Sequence, residues 1–348
     1  MRDQLRGIRS RRGRLRSDLL EDEGNGAERQ LGADLARLTT VGIGTRTNRV
    51  DPSLLAGRPA AARAERGFHD FLDSLPHTLA ADQLRAIAAA IARAHRAGKG
   101  VVLLVGGHVI KVGLGPLLAD WVRRGLATHI ALNGAAAIHD FELAAFGGTS
   151  EEVERGLADG TFGMAEETGA AMNATAMAAH ATDAGLGEGI AQALAARPQL
   201  HHQEASVLFA CHAAAVPITV HAAIGAEITH QHPAASGAAI GATTHRDFRR
   251  LAGSLPDLHD GGVVLNLGSA VVLPEVFLKA LTVARNLGQG RPTGFLAADF
   301  DMIRQYRPRL NVVERPTSGT GTGFMMTGHH ELMIPLLAWA VADALDQP

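Results

Sequence analysis

The stretch Val101-Val-Leu-Leu-Val-Gly-Gly-His-Val-Ile-Lys-Val-Gly-Leu-Gly-Pro116 decides the fold. Five apolar residues end at two glycines, and polar side chains follow at once. A parallel strand covered on both faces reads as an unbroken apolar run, and sheets of this kind bind ligands beyond the carboxyl ends of their strands. Glycine there lets a ligand approach the main chain. The pattern repeats in Ile130-Ala-Leu-Asn-Gly-Ala-Ala-Ala-Ile-His-Asp-Phe-Glu142. Histidines and acids just past two strand ends point to an α/β enzyme.

Outward from this pair, helix and strand signals alternate. Helices are expected over Ala80 to Ala97, Pro116 to Arg124, Ala170 to Ala184, Glu188 to Ala196, Ala205 to Ala214, Asp247 to Leu255, Pro274 to Ala284 and His330 to Leu345. Strands are expected at Val101–Val105, His129–Leu132, Pro217–Ala222, Val263–Leu267, Phe295–Asp299 and Leu310–Val313. Such alternation predicts a doubly wound, mostly parallel sheet with helices on both faces. The body from residue 31 to 348 reads as a single domain. Residues 1–30 differ: Arg2, Arg6, Arg9, Arg11, Arg12, Arg14 and Arg16 precede Asp18, Glu21, Asp22 and Glu23. Opposite charge blocks with few apolar residues read as a solvated tail.

The chain has 348 residues, 46% of them hydrophobic, and a formal net charge of -2. Nothing marks it as a nucleic-acid binder, and no apolar run reaches the roughly 20 residues that cross a bilayer. The single cysteine, Cys211, excludes an intramolecular disulfide and, in its apolar setting, reads as a buried inert thiol. A cytoplasmic location is the expectation.

Seventeen histidines stand against one tyrosine. His108, His139, His221, His230, His232, His329 and His330 fall at predicted strand ends or loop starts, where imidazoles serve as acid–base groups or metal ligands. No HExxH or paired CxxC pattern specifies zinc. Asp140 follows His139 and is expected to orient a neighbouring base. Glu275 sits in a first helical turn, where the helix dipole alone explains an anion. Glu142, Glu166, Glu167 and Glu227 lie near the same positions, Glu166 and Glu167 reading equally as solvated helix residues. Of the three lysines, Lys99, Lys111 and Lys279, Lys111 lies in the glycine loop and can meet an anion. Gly113-Leu-Gly115 half matches a dinucleotide fingerprint. Asn133-Gly134, Gly225-Ala226 and Gly268-Ser269-Ala270 offer small residues at further strand ends; tight turns and close helix–sheet packing explain such glycines equally well.

In their order, four stretches resemble the deoxyhypusine synthase family: Lys111-Val-Gly-Leu-Gly, Leu132-Asn-Gly-Ala-Ala-Ala-Ile-His-Asp-Phe, Ser206 through Ile228, and Val263-Val-Leu-Asn-Leu-Gly-Ser-Ala-Val-Val-Leu. The resemblance implies a Rossmann-like sheet, NAD as cofactor, and tetramers with active sites at subunit interfaces. It places Gly113, Asn133, Gly134, Gly225, Gly268, Ser269 and Ala270 along NAD, with Gly115 in the same turn. Three departures stand out. Leu273 occupies the position of the family's catalytic lysine, His139 that of an acidic NAD contact, and His230 that of the aspartate holding a polyamine. Deoxyhypusine synthesis itself is therefore not expected. The expectation is an NAD-dependent enzyme acting on a small neutral or anionic substrate by hydride abstraction with elimination or group transfer. His108, His139 or His230 would accept the proton, with Asp140 orienting; Glu275 and His329 complete the candidate groups. The alternatives are a metal-dependent lyase or hydrolase using His230, His232 and His329, and a non-catalytic ligand-binding protein on the same fold.

Overall fold

In the computed structural model, which describes residues 67–288 and 290–347, six parallel strands form one sheet in the order β3-β2-β1-β4-β5-β6. They are β1 Val101–Val105, β2 His129–Asn133, β3 Ile218–His221, β4 Val263–Leu267, β5 Leu296–Asp301 and β6 Thr322–Thr327. The charged segment 1–30 and the beginning of the expected domain, 31–66, lie outside the described residues. Every residue of β1 and β4 is buried. Side chains alternate across a strand, so Val101, Leu103 and Val105 join one core with Ile87 and Ile91 of helix α2 (Leu79–Arg96), while Val102 and Leu104 join another with Leu251, Leu273 and Phe277. The sheet is thus covered on both faces.

The remaining helices that place the site follow strand ends. Helix α1 (Gly67–Ser74) precedes α2. After β1 come α3 (Gly107–Lys111) and α4 (Gly115–Arg123). After β2 comes α5 (Gly134–Phe146), then α6 (Val153–Asp159), α7 (Glu166–Ala181), α8 (Leu186–Ala195) and α9 (Val207–Ala213). Helix α10 (Gly237–Ser254) follows β3, α11 (Val272–Leu287) follows β4, and α12 (His330–Asp346) follows β6. Chain order reverses between β1 and β4, whose ends meet at bare main chain: a Cβ on Gly106 would lie 2.2 Å from the Gly268 carbonyl oxygen.

Two expectations are corrected here. Leu310–Val313 is no strand but part of a π-helical turn, Arg309–Glu314, with Val312 and Val313 packed on the sheet. A short apolar run has no period to separate strand from buried helix. The sixth strand is instead Thr322–Thr327, an edge strand whose Thr-Gly-Phe-Met-Met-Thr lacks alternation and is half exposed. Helix α10 also begins ten residues before the expected start at Asp247.

Candidate functional site

Helix α5 builds the site. Asn133 is extended, and its side chain accepts a hydrogen bond from the Ala136 N–H at 2.9 Å, which starts the helix directly at the end of β2. Gly134 leaves a gap that the loop after β3 fills: a Cβ there would lie 1.9 Å from the Glu227 carboxyl carbon. The Glu227 carboxyl accepts the Ala223 N–H at 2.7 Å and stands 3.5 Å from His230 Nε2. The Gly225 N–H donates to His230 Nδ1 at 3.1 Å. That bond requires a bare Nδ1, so the neutral ring carries its proton on Nε2, toward Glu227. Both side chains are about one-tenth exposed. Burial pushes Glu227 up to about 7, against the pull of the Ala223 amide, and burial lowers His230.

One turn further along α5, His139 and Glu142 share a helix face. Thr149 donates to Glu142, so its oxygen accepts from His139 Nδ1 at 2.7 Å, and Thr168 donates to the other Glu142 oxygen at 2.9 Å. A carboxylate, a hydroxyl and an imidazole stand in series, leaving His139 Nε2 bare. Burial is the main cause lowering His139; Lys111 lowers it further and Glu142 opposes. His139, Glu142, Thr149 and Glu227 line one cavity of about 670 Å³. Ile138, Phe146, Val153, Phe162 and Ile228 supply its apolar wall, and the exposed Lys111, Glu151 and Glu167 complete its charge.

A second feature lies at the reversal between β1 and β4. His330, 1% exposed, donates from Nε2 to the Phe300 carbonyl at 3.1 Å and packs on Gly268, while its Nδ1 is buried without a partner. The His108 ring lies beside it, centroids 5.3 Å apart. Gly107, packed on Ala135, links this crevice to α5.

The structure therefore brings Asn133, Gly134, Glu227 and His230 together, with His139 on the cavity that Glu227 also lines, and His108 and Gly268 in the adjoining crevice. Other expected site residues go elsewhere. Asp140 does not orient His139: its carboxyl accepts from the Ser206 hydroxyl (2.6 Å) and from the Val207 and Leu208 amides, capping α9. Glu275 is a surface ion-pair centre for Lys279 and Arg307 that also accepts from Asn311; the Lys279 hydrogen bond is the largest influence lowering it. His329 is exposed beside Glu331; the buried imidazole is its neighbour His330. The space beyond Gly115 is filled by the Ala205 carbonyl, and the Ser269 hydroxyl accepts from the Leu273 amide in the first turn of α11. Ala270 is half-buried beside it. Gly113 and Gly225 have positive φ and open space where a Cβ would stand. Leu273 is wholly buried in the core.

Thr149, Thr168 and His330 were not among the expected catalytic residues, nor were Glu142 and Glu227. The His139/Glu142 and Glu227/His230 spacings of three are the sequence signals that mark two of these pairs. Among the described residues no group of three or more His, Cys, Asp or Glu can hold a metal ion. His232 pairs with Glu166, at 3.3 Å. No described helix is long and apolar enough to cross a membrane. Cys211 is fully buried, and burial raises its thiol well above the ordinary range.

No protein-family model and no curated protein matches the sequence. Similar solved structures include ArgZ, an arginine dihydrolase from the ornithine–ammonia cycle in cyanobacteria (18% identity, TM-score 0.47, covering 76% of this chain and 32% of that one). Another is AgrE in ternary complex with ornithine and NAD+ (16% identity, TM-score 0.46, covering 75% and 33%). A third, from Entamoeba histolytica, is assigned as a deoxyhypusine synthase (12% identity, TM-score 0.45, covering 81% and 94%). This chain spans about a third of the length of ArgZ and AgrE.

Proposed function

We propose that the protein is an NAD-linked enzyme whose substrate lies in the α5 cavity. The observation that carries this reading is that two carboxyls backed by imidazoles line one cavity: Glu142, joined through Thr149 to His139, which also lines it, and Glu227, which stands against His230. Perturbed acid–base groups in a cleft mark functional sites. His139 Nε2 takes a proton from the substrate's amine or hydroxyl. Glu227, held near neutrality, donates a proton to a leaving group or to the product. NAD, when bound, supplies the hydride acceptor.

For the cofactor, the crevice at the β1/β4 reversal is where doubly wound sheets bind dinucleotides. Its fit rests on the unpartnered His330 Nδ1, an acceptor awaiting a donor, with the His108 ring and the Gly268 main chain beside it. Gly134 and Gly115 do not contribute open space. Four carboxyls line the cavity against one lysine, which disfavours a purely anionic substrate. Calorimetry of the protein with NAD and NADH tests the reading. Saturable binding is expected, with Glu227→Gln and His139→Ala reducing turnover by at least about 100-fold and leaving NAD binding in place. Absence of saturable binding of either nucleotide removes the proposal.

The proposal extends to a homo-oligomer, a tetramer by resemblance, with its sites at subunit interfaces. Ile224, Val271, Met302, Ile303, Tyr306 and Leu332 are exposed, and each follows the carboxyl end of a strand. A second copy set on that rim would cover both the apolar residues and the site.

A further inference from the structure

We infer that the α5 cavity receives a zwitterion with an apolar side chain, an α-amino acid whose carboxylate meets Lys111 and whose ammonium meets Glu167. The inference rests on the reading of this cavity as the reaction site, and it follows from which of its charges the fold leaves unanswered.

Five lysine and glutamate side chains line the space: Lys111, Glu142, Glu151, Glu167 and Glu227. Three are already engaged. Glu142 receives Thr149 on one oxygen and Thr168 on the other. Glu151 accepts the Gly163 N–H at 2.9 Å. Glu227 accepts the Ala223 N–H and stands against His230. Lys111 and Glu167 make no hydrogen bond or ion pair with any described residue. One unanswered cation and one unanswered anion on a single cavity match a ligand that carries both charges. A polyamine mismatches, because it brings several cations to one free carboxylate and places them near Lys111. A dicarboxylate mismatches for the mirror reason.

The rest of the ligand is set by Ile138, Phe146, Val153, Phe162 and Ile228. They offer apolar contact but no donor or acceptor, so a polar side chain would lose its hydrogen bonds to water there. The volume, about 670 Å³, is within the ordinary range for small-molecule sites. Lys111 also acts on His139, holding that ring toward its neutral form. A carboxylate resting on Lys111 would cancel that influence and make His139 a stronger base once the ligand is in place.

Titration calorimetry on the full chain tests this with four probes: L-phenylalanine, phenethylamine (no carboxylate), 3-phenylpropionate (no ammonium) and spermidine. L-Phenylalanine is expected to bind at least tenfold more tightly than the other three. Lys111→Met should erase its advantage over phenethylamine, and Glu167→Gln its advantage over 3-phenylpropionate. Both side chains are exposed, so both variants should keep the parent unfolding midpoint. Phenethylamine or spermidine binding as tightly as L-phenylalanine, preferences that neither substitution moves, or no binding of any probe to folded protein would each overturn the assignment. L-Phenylalanine binding in a protein that binds neither NAD nor NADH would keep this site and remove the NAD-linked reading.

Discussion

At the scale of single residues, Glu227 and Asp140 illustrate opposite uses of a buried carboxyl. Glu227 is held at about 7, above its unfolded value of about 4.3. Its folded form therefore binds the proton more tightly, and the stability this gives is full below the unfolded value and lost as pH rises from about 4.5 through about 7. Glu227→Gln lacks that dependence. Denaturation between pH 4.5 and 7.5 should show the stability difference moving steadily in favour of the Gln variant as pH rises; parallel curves would mean that Glu227 is ionised throughout. Asp140, raised to about 6 chiefly by burial, instead spends both oxygens on the start of α9. Asp140→Ala leaves the Val207 and Leu208 amides and the Ser206 hydroxyl without their acceptor, at a cost of about 3 kcal/mol. Urea unfolding should register that loss while ligand binding per folded molecule stays at the parent level. The adjacency of His139 and Asp140 in sequence suggested one working pair, but consecutive helical residues point about 100° apart, so they serve different elements.

At the scale of elements, the start of α5 is both a helix terminus and a site wall. Gly134→Ala would drive a methyl into the Glu227 carboxyl; overpacking of this kind costs about 1–3 kcal/mol, read as a lowered denaturant midpoint together with loss of probe binding. Strands β2 and β3 are joined by a buried chain whose directions are fixed. Ser254 donates to the Arg250 carbonyl and accepts from His129 Nδ1 at 2.7 Å; Thr219 then donates to His129 Nε2 at 3.0 Å and accepts from His221 Nε2 at 3.1 Å. Burial lowers His129 to about 4 and His221 to about 3. Both lie below the unfolded value of about 6.5, so unfolded chains take up protons that the folded state refuses, and these rings lose stability as pH falls from 6.5 toward 4. Thr219→Val keeps the shape but strands two ring nitrogens, and should cost about 2–4 kcal/mol by urea unfolding at pH 7. A change below 0.5 kcal/mol would mean that the chain carries no stability.

At the scale of the whole molecule, six apolar side chains follow the carboxyl ends of four strands. Light scattering should give a defined oligomer, and Ile303→Glu with Tyr306→Glu should shift it toward monomer while the fold persists; a monomeric parent protein would remove the interface proposal. The sequence by itself determined the layered α/β class. Runs such as Val101–Val105 and Val263–Leu267 are apolar throughout, and only a strand covered on both faces buries every residue. It also marked the strand ends, because glycine is forced where β1 and β4 touch. Tertiary structure alone decided which polar groups share a space. Glu227 meets Gly134 across 93 positions of sequence, and His330 rather than His329 turns inward because α12 starts there and its first residue packs on Gly268. Local preference and periodicity act over a few residues, whereas the pairing of carboxyl with imidazole depends on how separate strand ends are brought side by side.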